Sequence, residues 1–145
     1  MSDSALQAKG SAIYPETATD LSAAVGKLVT FSAGAPTVNA STTVPATGIV
    51  LDARKRTVGT VTTYDNAIGI IGALPGPVRA LLNAASVPVS FGDKLQQASD
   101  GTLTKDLGPT NPRVTVAICT DLNGANPNDL FEVSFITPVA GDLTN

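Results

Sequence analysis

Apolar residues recur along this chain in short runs, each closed by Gly, Pro, Asn or Asp. The runs are GKLVTF (26–31), TGIVLDA (47–53), TVGTVTTY (57–64), AIGIIGAL (67–74), VSFGDKLQQ (89–97), TLTK (102–105), RVTVAIC (113–119) and LFEVSFI (130–136). Segments this short, rich in Val, Ile and Thr, fit a half-buried pleated surface better than a helix face. They predict an all-β fold, a compact barrel or sandwich of about eight short strands. Residues 1–19 are small and polar without a sustained period, so they are read as an extended N-terminal arm before a single β domain at 20–140, with 141–145 as a C-terminal tail.

Two segments sharpen this pattern. In SFGDKLQQASDGTLTKD, the runs 91–97 and 102–105 flank Asp100 and Gly101. Asp-Gly adopts the positive φ angles of a type I′ turn or a glycine bulge, so a hairpin is expected there with Gly101 at positive φ. The second segment, PVRALLNAAS (77–86), is open. Val78, Leu81, Leu82 and Ala85 have helical spacing after Pro77, whereas Val78, Ala80, Leu82 and Ala84 alternate as in a strand. The extended, proline-punctuated VPVSFGDK that follows favours the strand.

At 145 residues the chain suits one domain, which at this size buries roughly two thirds of its unfolded surface. Charged residues are 14% of the chain, well below the roughly 25% usual in soluble proteins. So few charges suit a protein that lays much of its surface against another protein.

Histidine is absent, which removes the usual general base, the Ser-His and Cys-His nucleophile pairs and imidazole metal ligands. No enzymatic activity and no cofactor are expected. With no Trp and 4% aromatics, a stacking surface for sugars or single strands is not expected. Nine basic residues against twelve acidic ones, without a basic stripe, argue against a nucleic-acid partner. No run has the apolar length of a signal core or a membrane span, so no membrane partner is expected, and synthesis in the cytoplasm is.

Four places hold residues that could carry chemistry. Cys119, the single cysteine, reads as a small buried apolar residue. DLNGANPND (121–129) gathers oxygen donors of the kind calcium prefers, but its spacing departs from a calcium loop and its residues equally suit a long hairpin turn. Asp52, Asp65 and Asp93 could be offered as paired carboxylates, yet no spacing brings two of them together. Arg54, Lys55 and Arg56 form the basic cluster, read as a strand-to-strand connection that either is simply solvated or touches an acidic patch on a partner.

The order of segments resembles the small head decoration, or cement, proteins of tailed phages. The similarity begins at TDLSAAVGKLVTF, continues through VPATGIVLDA and VPVSFGDKLQQASDGTLTKD, and closes with RVTVAICTDLNGANPNDLFEVSFITP. It spans 20–138 and departs from the family pattern over 54–77.

The resemblance implies a structural virion protein on the outer capsid surface. It would bridge subunits of the major capsid protein as a homo-oligomer, most simply a trimer, and stabilise the assembled shell. On that view Ile13 and Tyr14 on the arm, with Arg54, Lys55 and Arg56, are the candidate capsid or subunit contacts. Two other classes stand beside it. One is a receptor- or carbohydrate-binding module of a phage tail or fibre, disfavoured by the aromatic poverty and by a sequence without repeats. The other is a small hydrolase working through two carboxylates.

Overall fold

Alternating Val, Ile, Leu and Thr positions give the chain many short strands and little else. The computed structural model describes residues 12–13, 16–17, 19–108 and 113–139. Among them the strands are β1 (Ala12–Ile13), β2 (Glu16–Thr17), β3 (Leu28–Ser32), β4 (Ala35–Val38), β5 (Gly48–Val58), β6 (Val61–Ile70), β7 (Val78–Leu81), β8 (Lys94–Gln97), β9 (Leu103–Lys105), β10 (Thr115–Cys119) and β11 (Leu130–Val139). The only helical element among the described residues is one 3-10 turn, Ser22–Ala24. The protein is all-β, as the apolar pattern predicts.

The strands form two antiparallel sheets. The larger runs β1-β6-β5-β3-β4, with β2 also on the outer side of β6; the smaller runs β7-β11-β10-β8-β9. A parallel bridge between Leu82 and Leu103, together with a hydrogen bond from Asn83 N to Leu103 O at 2.7 Å, brings the chain after β7 against β9. The smaller sheet therefore curls until its two edges meet. Two backbone bonds seam it to the larger sheet: Leu28 N donates to Gly101 O at 2.7 Å and Leu81 N to Gly26 O at 2.9 Å.

The main core lies inside the curled sheet and against the larger one. Leu28 and Ile49 from β3 and β5 pack with Leu95, Leu103, Val116, Phe131 and Val133 from the smaller sheet. A second cluster, Leu21, Ala24, Val29, Val50 and Ile68, covers the opposite face of the larger sheet with the chain around the 3-10 turn. Burying such side chains is worth about 1.5–3 kcal/mol each, so the two clusters are the main source of stability.

Gln97 joins them as a buried polar anchor. Its Oε1 accepts from Ala46 N at 2.7 Å, and its Nε2 donates to Ser41 O at 3.1 Å and Val44 O at 2.9 Å. One amide thus satisfies three backbone groups of the 41–46 connection, which carries no sheet pairing of its own.

The Asp100-Gly101 hairpin is present, in its bulge form. Ala98 N donates to Thr102 O at 2.9 Å, leaving 99–101 as the loop, and of these only Gly101 has positive φ, at 82°. The open segment resolves as strand β7 over Val78–Leu81, with a turn after it.

Three expected strands take different shapes. TVGTVTTY contains a two-residue turn at Gly59 and Thr60 between β5 and β6. AIGIIGAL leaves the sheet after Ile70. VSFGDKLQQ is strand only over Lys94–Gln97, because Gly92 at φ 89° and an Asp93 side chain bonded back to Ser90 N turn the chain before it. The pattern also passed over β4, a four-residue edge strand containing Pro36.

The 1–19 arm is described at five residues, four of which pair with β6: Ala12 with Gly69, Ile13 with Ile68, Glu16 with Asp65 and Thr17 with Tyr64.

Candidate interaction surface

The first surface is the β5–β6 hairpin. Its inner half is core: Ile49, Val50 and Ile68 are fully buried. A bulge at Val50/Asp52 shifts the register, and beyond it the two strands run out of the sandwich as a ribbon. Residues 54–61 are all exposed, ending in the cross-strand pair Val58 and Val61 at 71% and 62% exposure.

Arg54, Lys55 and Arg56 lie inside this ribbon, opposite Asp65, Tyr64 and Thr63. The expectation that they form a connection between strands is corrected here: β5 continues through them because β6 supplies a full hydrogen-bonding partner, which the charge pattern did not reveal. Arg54 Nε bridges Asp52 Oδ2 at 3.1 Å and Arg56 Nε approaches Asp65 Oδ2 at 3.8 Å. Both pairs are solvent-exposed, so each contributes at most about 1 kcal/mol. Lys55 faces Asp20, whose carboxyl is held below the usual range mainly by hydrogen bonds from Ser22, with a smaller contribution from the Lys55 charge. Asp52 and Asp65 thus each serve a cation of the ribbon.

The second surface is the outer edge of β6, where the described arm residues add short strands. Ile13 stays 41% exposed there, so the arm covers this edge without burying its own apolar side chain. Asn66 Nδ2 donates to Thr19 O at 3.2 Å, tying the arm's exit to β6. Tyr14 lies outside the described residues.

The third surface escaped the sequence reading altogether. At the end of the curled sheet where β7, β10 and β11 meet, the connections 82–93 and 120–129 are sewn together by their backbones. Val89 and Ala125 exchange two bonds of 3.0 Å, Gly92 N donates to Cys119 O at 2.8 Å, Leu82 N to Asp129 O at 2.9 Å, and Asn128 N to Leu82 O at 3.0 Å. A Cβ on Gly124 would collide with the Val89 carbonyl oxygen, so only glycine lets the loops close this tightly. This cap nonetheless turns large apolar side chains outward: Leu122 is 83% and Phe91 60% exposed, with Val87 and Leu130 also exposed. Ordinary monomer surfaces scatter such residues singly, whereas neighbouring ones mark contact sites.

The acidic groups of the cap are used by its own turns. Asp121 Oδ1 accepts from Asn123 N at 3.0 Å and its Oδ2 from Glu132 N at 3.3 Å, while Asp129 Oδ2 accepts from Asn126 N at 2.9 Å. The residues weighed for calcium therefore act as turn formers in the β10–β11 connection, and no group of three or more His, Cys, Asp or Glu gathers among the described residues. The Asp93 carboxyl lies below the usual range, chiefly through the Ser90 N–H, with burial opposing and Lys105 at 3.1 Å assisting. Cys119 is buried in the core beneath, and burial pushes its thiol up.

Comparison of the chain with protein-family models, with curated proteins and with solved structures finds no match.

Proposed function

We propose that this chain is a structural adhesion module, a head decoration protein that binds the outside of a tailed-phage capsid and bridges neighbouring major capsid protein subunits. The observation that supports it best is the display of large apolar side chains, Phe91, Leu122, Val58 and Val61, on backbone-stitched or strand-paired supports. Side chains held out on rigid supports lose little freedom on docking, which favours association. The order of sequence motifs agrees with the same reading.

Its mechanism is linkage. A ligand that binds only the expanded, assembled shell stabilises that state by mass action, by about 2.7 kcal/mol per site at a hundredfold excess over Kd. Over many sites a modest contact becomes a large effect. Ile13, at the β6 edge, and Tyr14 are the shell contacts of this reading; Arg54, Lys55 and Arg56 serve contact with the shell or with another subunit. The protein is then made in the host cytoplasm and ends on the outer capsid surface.

Sedimentation of the purified protein with expanded capsids of its own virus tests the proposal. Saturable co-sedimentation and a raised capsid melting temperature are expected. Glycan binding with no co-sedimentation would replace this reading with the tail- or fibre-associated receptor module.

A further inference from the structure

We propose that copies of this chain join head to tail, with the tip of the β5–β6 hairpin of one copy seated on the stitched 82–93/120–129 cap of the next. The inference deepens the shell-binding reading, on which it rests only for its biological setting, by naming the subunit contact.

Two observations point to a second copy as the occupant. The hairpin tip and the cap carry four of the six most exposed large apolar side chains among the described residues, Leu122, Val58, Val61 and Phe91, the other two being Val44 and Leu107. Their charges are opposite. The tip segment 54–63 holds Arg54, Lys55 and Arg56 and no carboxylate, whereas the two connections of the cap hold Asp93, Asp121 and Asp129 and no cation.

Each surface thus offers an apolar centre with an excess of one sign of charge beside it, and the two excesses are opposite. Neighbouring carboxylates or cations temper both fields, since Asp52 and Asp65 stand at the base of the ribbon and Lys105 bridges Asp93. The sign at the rim nevertheless differs, and rim charges of opposite sign fix orientation and speed encounter. A convex two-stranded tip against a cap of loops also brings two different surfaces together. That contact is heterologous, so it closes into a ring when the rotation between copies permits. A reciprocal two-fold pair is the smallest closed assembly and a trimer the next.

The experiment uses the full chain without capsids, in size-exclusion chromatography with light scattering. Wild type is expected to associate, and less so as ionic strength rises. Val61→Asp destroys the tip and Leu122→Asp the cap; both sites are exposed, so each variant should keep the wild-type circular dichroism and melting temperature while running as a monomer. Their equimolar mixture should give a dimer and nothing larger, because one intact tip meets one intact cap and the remaining surfaces are dead. If either variant misfolds, Val58→Asp and Phe91→Asp replace the pair.

A wild type that is monomeric at every concentration, a single variant that still associates, or a mixture that stays monomeric overturns the proposal. Capsid co-sedimentation is scored separately: a wild-type ring that ignores capsids leaves the contact standing and removes the shell reading.

Discussion

Placing a methyl group on Gly101 tests whether the β8–β9 hairpin leans on β3 and β4 as the structure has it. Gly101 sits at φ 82°, and a Cβ there would come within 2.7 Å of Val38 Cγ1, 3.0 Å of Leu28 O and 3.3 Å of Lys27 Cβ. Two costs follow for Gly101→Ala. The left-handed backbone costs an L-residue about 1–2 kcal/mol, and forcing a group into a filled site adds about 1–3 kcal/mol. The sum is about 2–5 kcal/mol, a large part of the 5–15 kcal/mol typical of a domain. Gly34 separates the terms. Its φ is 80° but a Cβ there meets nothing within 4 Å, so Gly34→Ala should lose only the backbone part. At about 3 °C per kcal/mol for a domain of this size, Gly101→Ala should melt roughly 10 °C below wild type and Gly34→Ala roughly 5 °C. Thermal unfolding followed by circular dichroism measures both. Equal losses in the two variants would mean position 101 has room for a methyl, and the seam between the sheets through Leu28 would have to be redrawn.

Three further outcomes follow. Gln97→Leu strands three backbone groups of the 41–46 connection, each costing about 1–3 kcal/mol, and should lower the urea midpoint and open that connection to proteolysis. The Asp100 carboxyl is pushed up by burial but held below its usual value overall by hydrogen bonds from Thr102 and Asn83; a lowered folded pKa means its stabilisation is complete above about pH 4 and is lost as pH falls through the folded value, so Asp100→Asn should flatten the fall in urea midpoint between pH 5 and 3. Cys119, buried and with its thiol pushed up, should react with a thiol reagent only at the rate of global unfolding, and fast labelling of the native protein would contradict its place in the core.

The elements most legible in the sequence are those whose local chemistry and tertiary setting agree. Asp-Gly specifies its own bulge, and the alternation at the start of 130–136 records a buried face through Phe131 and Val133. Legibility fails where a strand has no buried face to record. The outer half of β5 carries Arg54, Lys55 and Arg56 because it projects into solvent, and the charges that look like a connection are the outer part of an eleven-residue strand. The reverse holds at 89–93, where Val89 and Phe91 alternate like a strand but the backbone is bent by Gly92 and Asp93.

The cap illustrates why candidate surfaces are harder to read than folds. Leu122 stands in a segment that drew notice for its oxygen donors, and its exposure depends on which loop lies beside it across the barrel end. Gln97 is similar: a polar residue at the end of an alternating run gives no sign that its amide serves a connection some fifty residues earlier.

The order of strands in the smaller sheet also sets a schedule for biosynthesis. Within that sheet β7 pairs with β11 alone, and β11 is the last of the described strands to be made. The β3–β6 sheet is built from neighbouring hairpins that can pair as they leave the ribosome, but β7 must wait for Leu130–Val139. At the usual ~5–20 residues per second of synthesis, a gap of about fifty residues lasts several seconds. During that interval Val78 and Ala80 are an unpaired edge on a growing chain. Completion of the sheet therefore waits on β11, and a ribosome stalled before residue 130 leaves a half-built sheet whose sticky edge invites capture by chaperones or by other nascent copies.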